Sequence, residues 1–173
     1  MANHVSHFIT VNTVSSDLRS KLLELFKKEL HDIDTSDLIN YFYGEQFTDE
    51  SLNYETAYTY VGAKWVVGMY SGEDDDSMYF TFTAAWEFAR PLMHQFYKWC
   101  AAIDPDCTIN CTFEDEGLNF AGVYVAGNGY ECDEWLDTDD YNFEDPDSYE
   151  SYTNDLYDLL SNEIENRDSN ENE

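Results

Sequence analysis

The segment AYTYVGAKWVVGMYSGEDDDSMYFTFTA, Ala57 to Ala84, decides how this chain is read. Its first half, Ala57 to Tyr70, alternates, with Ala57, Thr59, Val61, Ala63, Trp65, Val67 and Met69 on one side. Its last part alternates as well, setting Met78, Phe80, Phe82 and Ala84 against Tyr79, Thr81 and Thr83. A period of two is the mark of a strand with one buried face. Between the two runs, Gly72 and the acids Glu73, Asp74, Asp75 and Asp76 have nothing to bury and turn the chain back. The reading is an antiparallel hairpin of strands 58–70 and 78–84.

Upstream, His7 to Asn12 (HFITVN) is rich in β-branched and aromatic residues and reads as a first strand. Ser15 or Ser16 can cap a helix over 16–31, in which Leu18, Leu22, Leu25, Phe26 and Leu30 share one face. Downstream, Pro91 suits the first turn of a helix over 91–103, with Leu92, Phe96, Trp99, Cys100 and Ile103 as its buried stripe. Asp104-Pro105 ends that helix. Cys107, Ile109, Cys111 and Phe113 then face one way in a strand over 107–114. Asp115-Glu116-Gly117 reads as a solvated turn into a last strand over 118–126. Strand, helix, hairpin, helix, strand is the ferredoxin-like βαββαβ order, here with an extra C-terminal strand. The expected class is α+β, with helices on one face of an antiparallel sheet over residues 1–130.

Beyond residue 130 the character changes. Residues 131–173 hold 17 Asp plus Glu and the single base Arg167. Tyr149, Tyr152, Leu156, Leu159 and Ile164 keep near-helical spacing, so residues 131–166 read as an acidic extension with a helix capped by Asp147 or Ser148. The tail RDSNENE, residues 167–173, has nothing to bury and is expected to be disordered.

Charge limits the function classes. The 173-residue chain carries 37 Asp plus Glu against 8 Lys plus Arg, a formal net charge of −29. Phosphate backbones and anionic headgroups repel such a surface, which argues against direct nucleic-acid binding and against a membrane surface. Yet 43% of the residues are hydrophobic and 17% aromatic, enough to build a core under the charge. The chain begins with neither a basic segment nor an apolar run, and a cytoplasmic setting is the expectation. Cys100, Cys107, Cys111 and Cys132 form no CxxC pair and stand away from His4, His7, His31 and His94, so they read as structural free thiols.

Three stretches resemble the YubB-like proteins, ferredoxin-like domains of phage and plasmid accessory genes. They are Met1-Ala2-Asn3-His4-Val5, then Phe82-Thr83-Ala84-Ala85-Trp86, and Glu114-Asp115-Glu116-Gly117-Leu118-Asn119-Phe120-Ala121-Gly122. The resemblance covers about residues 1–130. It implies the ferredoxin-like fold and a mobile-element origin, and it brings no catalytic residues.

No P-loop, dinucleotide fingerprint, nucleophile elbow or HExxH is present, and neither enzyme activity nor a cofactor is expected. Counting an EF-hand from Asp137 puts Asn142 and Ser148 where Gly and Glu are needed, so no specific metal site is expected. Seventeen acids in 43 residues would present a carboxylate about every 3.8 Å along a helix, near the phosphate spacing of one DNA strand. The expectation is therefore a phage- or plasmid-encoded DNA mimic that occupies the groove of a basic DNA-binding host protein, foremost a restriction or CRISPR-type defence nuclease. The expected contact set is Asp133, Glu134, Asp137, Asp139, Asp140, Glu144, Asp145 and Asp147, anchored by Trp135 and Tyr141, with Glu73, Asp74, Asp75 and Asp76 as a second patch. Two alternatives stand beside it: an acidic accessory protein for a basic transcription or nucleoid factor, and a halophile's surface. The oligomeric state, a dimer included, is open.

Overall fold

The computed structural model describes residues 3–27, 33–48 and 50–170. The opening Met1-Ala2, the expected end of the first helix at 28–31 and the last three residues lie outside them. The elements in order are β1 (His4–Asn12), α1 (Ser16–Lys27), α2 (Thr35–Tyr43), α3 (Tyr54–Val61), β2 (Val66–Glu73), β3 (Ser77–Ala85), α4 (Arg90–Ile103), β4 (Thr108–Asp115), β5 (Ala121–Gly127), β6 (Tyr130–Leu136) and α5 (Pro146–Asn170). The class is α+β. All six strands join one antiparallel sheet in the order β2-β3-β1-β4-β5-β6. That is one strand more than expected.

The expected strand over 58–70 is corrected in its first half. Tyr54–Val61 is a helix, because Asn53 caps it by accepting from the Thr56 amide and Gly62 ends it in the left-handed region at φ 78°. Ala57 and Val61, four residues apart, are buried, while Tyr54 and Tyr58, also four apart, are exposed. The strand begins only at Val66. The rest of the hairpin pairs as expected, through a register shift between Tyr70 and Gly72.

Two faces of the sheet are covered unequally. Val5, Ile9, Val11, Phe80, Phe82, Ile109, Cys111, Phe113 and Tyr124 bury one face beneath α1, α2 and α4. Fully burying such side chains is worth about 1.5–3 kcal/mol each, so this layer dominates the hydrophobic stabilisation. On the opposite face Ala121 and Val123 lie under Tyr152 and Leu156 of α5. Helices therefore cover both faces, which corrects the one-face expectation. Every residue of β5 is buried. A strand covered on both sides must be apolar throughout, and AGVYVAG is.

The acidic extension is thus part of the domain. Its first six residues belong to the edge strand β6, and α5 continues through Arg167 to Asn170 instead of dissolving at 167. Arg167 is buried and donates to Asn110 of β4 at 2.7 Å. Among the described residues no helix is long and apolar enough to cross a membrane.

Candidate acidic interface

The connection from β6 to α5, residues 137–145, gathers most of the expected contact set. Asp137, Asp139, Asp140, Glu144 and Asp145 are all exposed there, and Asp147 is exposed just beyond, at the start of α5. Local geometry fixes the backbone that carries them. Asp137 accepts from the Asp139 amide at 3.1 Å, Asn142 from the Glu144 amide at 3.2 Å, and Asp145 from the Asp147 amide at 3.1 Å. Each is a side chain satisfying a backbone donor two residues on, the interaction that makes Asx residues good turn formers. Asp147 also sits in the first turn of α5, where the helix dipole favours a negative charge.

An aromatic layer lies beneath the loop. Tyr141, Phe143, Tyr149 and Tyr152 pack on one another with ring centroids 5.1–6.5 Å apart. Tyr141 donates its hydroxyl to Asp155 at 2.6 Å, and that bond to a carboxylate pushes its pKa up to about 12. Tyr141 is therefore a half-buried support for the loop, not an outward anchor. Among the described residues none of the six loop carboxylates forms an ion pair.

The other expected residues fare differently. Asp133 is taken up by Arg90, whose Nε lies 2.5 Å from its Oδ1; this bond also raises the arginine's pKa. Glu134 projects from the face that carries α5, two residues from Cys132, whose thiol it accepts at 3.6 Å. Trp135 is half exposed and lies against Phe113 and Phe120, at 4.9 and 5.3 Å between centroids.

Glu73 to Asp76 do not join this surface. They form the β2–β3 turn, on the opposite edge strand and at the opposite end of the strands, as the pairing registers fix. With strands about 4.8 Å apart and residues rising about 3.3 Å, the two groups are about 35 Å from each other. Glu73 is paired with Arg19 at 3.1 Å. Asp74 caps the turn by accepting from the Ser77 amide at 2.9 Å and from the Tyr79 hydroxyl, and the tyrosine bond holds its pKa below the usual value. All four stay exposed, but Asp76 is engaged as well, accepting from the Ser77 hydroxyl at 3.3 Å.

The even helical charge ladder is also not what the structure contains. α5 carries seven acids over 25 residues, about one per 5 Å, and the dense stretch is the irregular loop before it.

Asp115 corrects a further reading. It is buried, and its Oδ2 accepts from the Gly117 and Asn119 amides at 3.2 and 3.3 Å, closing the β4–β5 turn. Glu116 beside it is exposed and 3.7 Å from His4. All four cysteines are free, and burial pushes Cys107 up to about 12 and Cys132 up to about 11, so neither is an activated thiolate. Among the described residues no three His, Cys, Asp or Glu side chains are grouped to hold a metal ion.

Sequence reasoning missed one feature beside the loop. Tyr58, Gly62, Glu87, Phe88, Arg90, Pro91, Phe120 and Trp135 line an open cleft of about 460 Å³ between α3, α4 and the end of β6. Tyr58, read as a strand residue, belongs to it only because α3 is a helix. The caps Asn53 and Gly62 were the signal that could have found it.

No protein-family model, no curated protein and no solved structure matches this chain.

Proposed function

We propose that this protein works without catalysis, as an acidic decoy that fills the Lys/Arg-lined nucleic-acid groove of a partner protein. The observation that carries this reading is the 137–147 loop. Six exposed carboxylates stand on a backbone fixed by three side-chain turns and an aromatic layer, and among the described residues no base pairs with them. Charges held in place in advance lose little conformational freedom on binding, so most of their attraction is available for association. Fields of this strength also speed encounter with a basic partner and make it salt-sensitive.

On this reading the protein is a phage- or plasmid-encoded inhibitor of a host DNA-binding protein, with a defence nuclease as the favoured target class. The YubB-like resemblance supports the mobile-element origin. We also read β2-β3-β1-β4, with α1 and α4, as a ferredoxin-like core extended by β5, β6 and α5; the hairpin inserted between two strand–helix units supports this.

The test is capture of host proteins on the immobilised protein at low salt, followed by elution with duplex DNA. The reading requires that a DNA-binding protein be retained, that duplex DNA release it, and that a loop-reversed variant fail to retain it. Retention that DNA cannot displace would instead favour an acidic accessory protein that binds a basic factor without mimicry. The aromatic cleft beside the loop favours that second reading, because DNA has no counterpart to it.

A further inference from the structure

We propose that the cleft between Tyr58 and Trp135 is a receptor for a single arginine or lysine side chain of the partner. This rests on the reading above only for the partner's basic character.

Two aromatic residues border the cleft with much of their surface in water: Tyr58 is 40% exposed and Trp135 50%. Between the α3 and α4 sides stands Glu87, whose Oε2 accepts the Tyr58 hydroxyl at 2.6 Å. That bond fixes both side chains, and it raises the tyrosine's pKa, so the ring stays neutral and its face electron-rich. A carboxylate beside aromatic faces is the arrangement that receives a guanidinium or ammonium, through Coulomb attraction together with cation–π contact.

The other charged groups around the cleft leave it negative. Arg90 lies on its wall, but Asp133 holds that guanidinium at 2.5 Å. Glu131, one position further along the same face of β6, is engaged with His94 at 2.7 Å. Glu87 is the charge left to face an incoming cation. Outside the cleft, Lys64 already occupies one aromatic face, its ammonium 5.0 Å from the ring centroid of Trp86, the residue next to Glu87 in the chain. Trp86 takes this position at φ 75°, a conformation strained for a bulky side chain and retained where the surroundings impose it.

The shape is built into the backbone. Gly62 ends α3 at φ 78°, and a Cβ there would stand 2.5 Å from Cδ of Pro91. This contact seats α3 directly on the start of α4 and makes the floor of the cleft. On the far wall Phe88, Phe113 and Phe120 back Trp135 and hold its ring at the rim. The cleft is therefore a preformed hollow, with room for one basic side chain together with part of the partner segment that carries it.

The test is a titration of the full-length protein with a short arginine-rich peptide and with its citrulline counterpart, which keeps the shape but lacks the charge. The readouts are the Trp135 indole N–H resonance and the dissociation constant, at low salt and at about 1 M salt, where the Debye length is about 3 Å. The arginine peptide should move the Trp135 resonance at both salts, and the citrulline peptide should not. Glu87→Gln combined with Tyr58→Ala should weaken the high-salt dissociation constant about tenfold, because cation–π and charge-assisted contacts survive screening better than long-range attraction. Both positions are at the surface, and retained near-ultraviolet dichroism shows that the variant is folded. An unmoved Trp135 resonance, or an equal response to citrulline, overturns the proposal. If low-salt binding then still depends on the 137–147 loop, the decoy reading stands without the cleft. If neither the loop nor the cleft variants alter binding, both fall together.

Discussion

His7 makes the fold sensitive to acid, and the size of that effect follows from its surroundings. The ring is fully buried in the middle of the sheet face that α1, α2 and α4 cover. Nδ1 lies 3.2 Å from the Phe82 carbonyl and 3.1 Å from that of Val5, so it carries the proton, while Nε2 accepts from the Ala89 amide at 3.0 Å. A second proton would turn Nε2 from acceptor to donor, facing an N–H. Burial is the main cause that lowers the pKa from 6.5 to about 4, opposed by the two carbonyl contacts. Because the folded pKa lies below the unfolded one, the unfolded chain takes up the proton first as pH falls. The stabilisation is thus complete above pH 6.5 and is lost progressively toward pH 4. Linkage across this interval gives a loss of about 2 kcal/mol between pH 7 and pH 5, and about 3 kcal/mol in full. Burial raises the Glu114 pKa, and that group acts in the opposite direction, as does the relief of carboxylate repulsion. The comparison therefore needs a variant. Urea unfolding followed by circular dichroism, at steps from pH 7 to pH 5, should show a steeper loss for the natural chain than for His7→Gln. The difference in slope isolates His7, even though the variant is less stable throughout. Equal slopes would refute the reasoning.

Reversing Asp137, Asp139, Asp140 and Glu144 to Lys should weaken partner binding at low salt by roughly a hundredfold or more while the melting temperature holds or rises. Calorimetry checks both, and equal losses from reversals at Asp17 and Glu24 of α1 would show that only net charge matters. Gly122→Ala should cost about 1–3 kcal/mol and strip hydrogen-exchange protection from β6, because its Cβ would stand 2.3 Å from the Glu134 carbonyl oxygen. Truncation after Asn166 should destabilise the domain by about 1–3 kcal/mol, since it removes the buried Arg167 and leaves the Asn110 side chain without that donor; an unchanged urea midpoint would instead fit the disordered tail expected from the sequence.

The parts of the fold that could be read early are those where one face is buried and the other wet. In β1, β3 and β4 the residues alternate because helices cover a single side along most of their length, and the α4 stripe is helical for the same reason. Ala57, Thr59 and Val61 alternate as well, but they also fit one helical turn. The deciding marks are Asn53, which lies before the alternating window, and Gly62, which lies inside it but off the alternating side. β5 was read as a strand, but its lack of alternation also announced a second covering layer. The charge of the sequence that follows conceals that layer.

The same charge hid β6. Glu131, Asp133 and Glu134 in a short strand look like a solvated linker, yet an edge strand needs charge to refuse unwanted partners. Of the contact set, the loop acids could be found from sequence because they are local in the chain. Neither the neutralisation of Asp133 by Arg90 nor the distance to the Glu73–Asp76 turn could be found, because both depend on strand order.

Charge placement and fold stability are then two sides of one arrangement. Carboxylates crowded at 137–147 repel one another, and the chain tolerates this by setting the loop over a private aromatic layer and tying α5 back to β4 through Arg167. Salt must act on the two roles with opposite signs. Screening shortens the reach of repulsion, so the folded domain gains stability as salt rises. The same screening weakens attraction for a basic groove, so partner binding falls over the same range. A surface whose acidity served salt tolerance alone would show the first trend with no binding to lose. A decoy shows both, and the loss of binding, unlike the gain in stability, disappears when the loop charges are reversed.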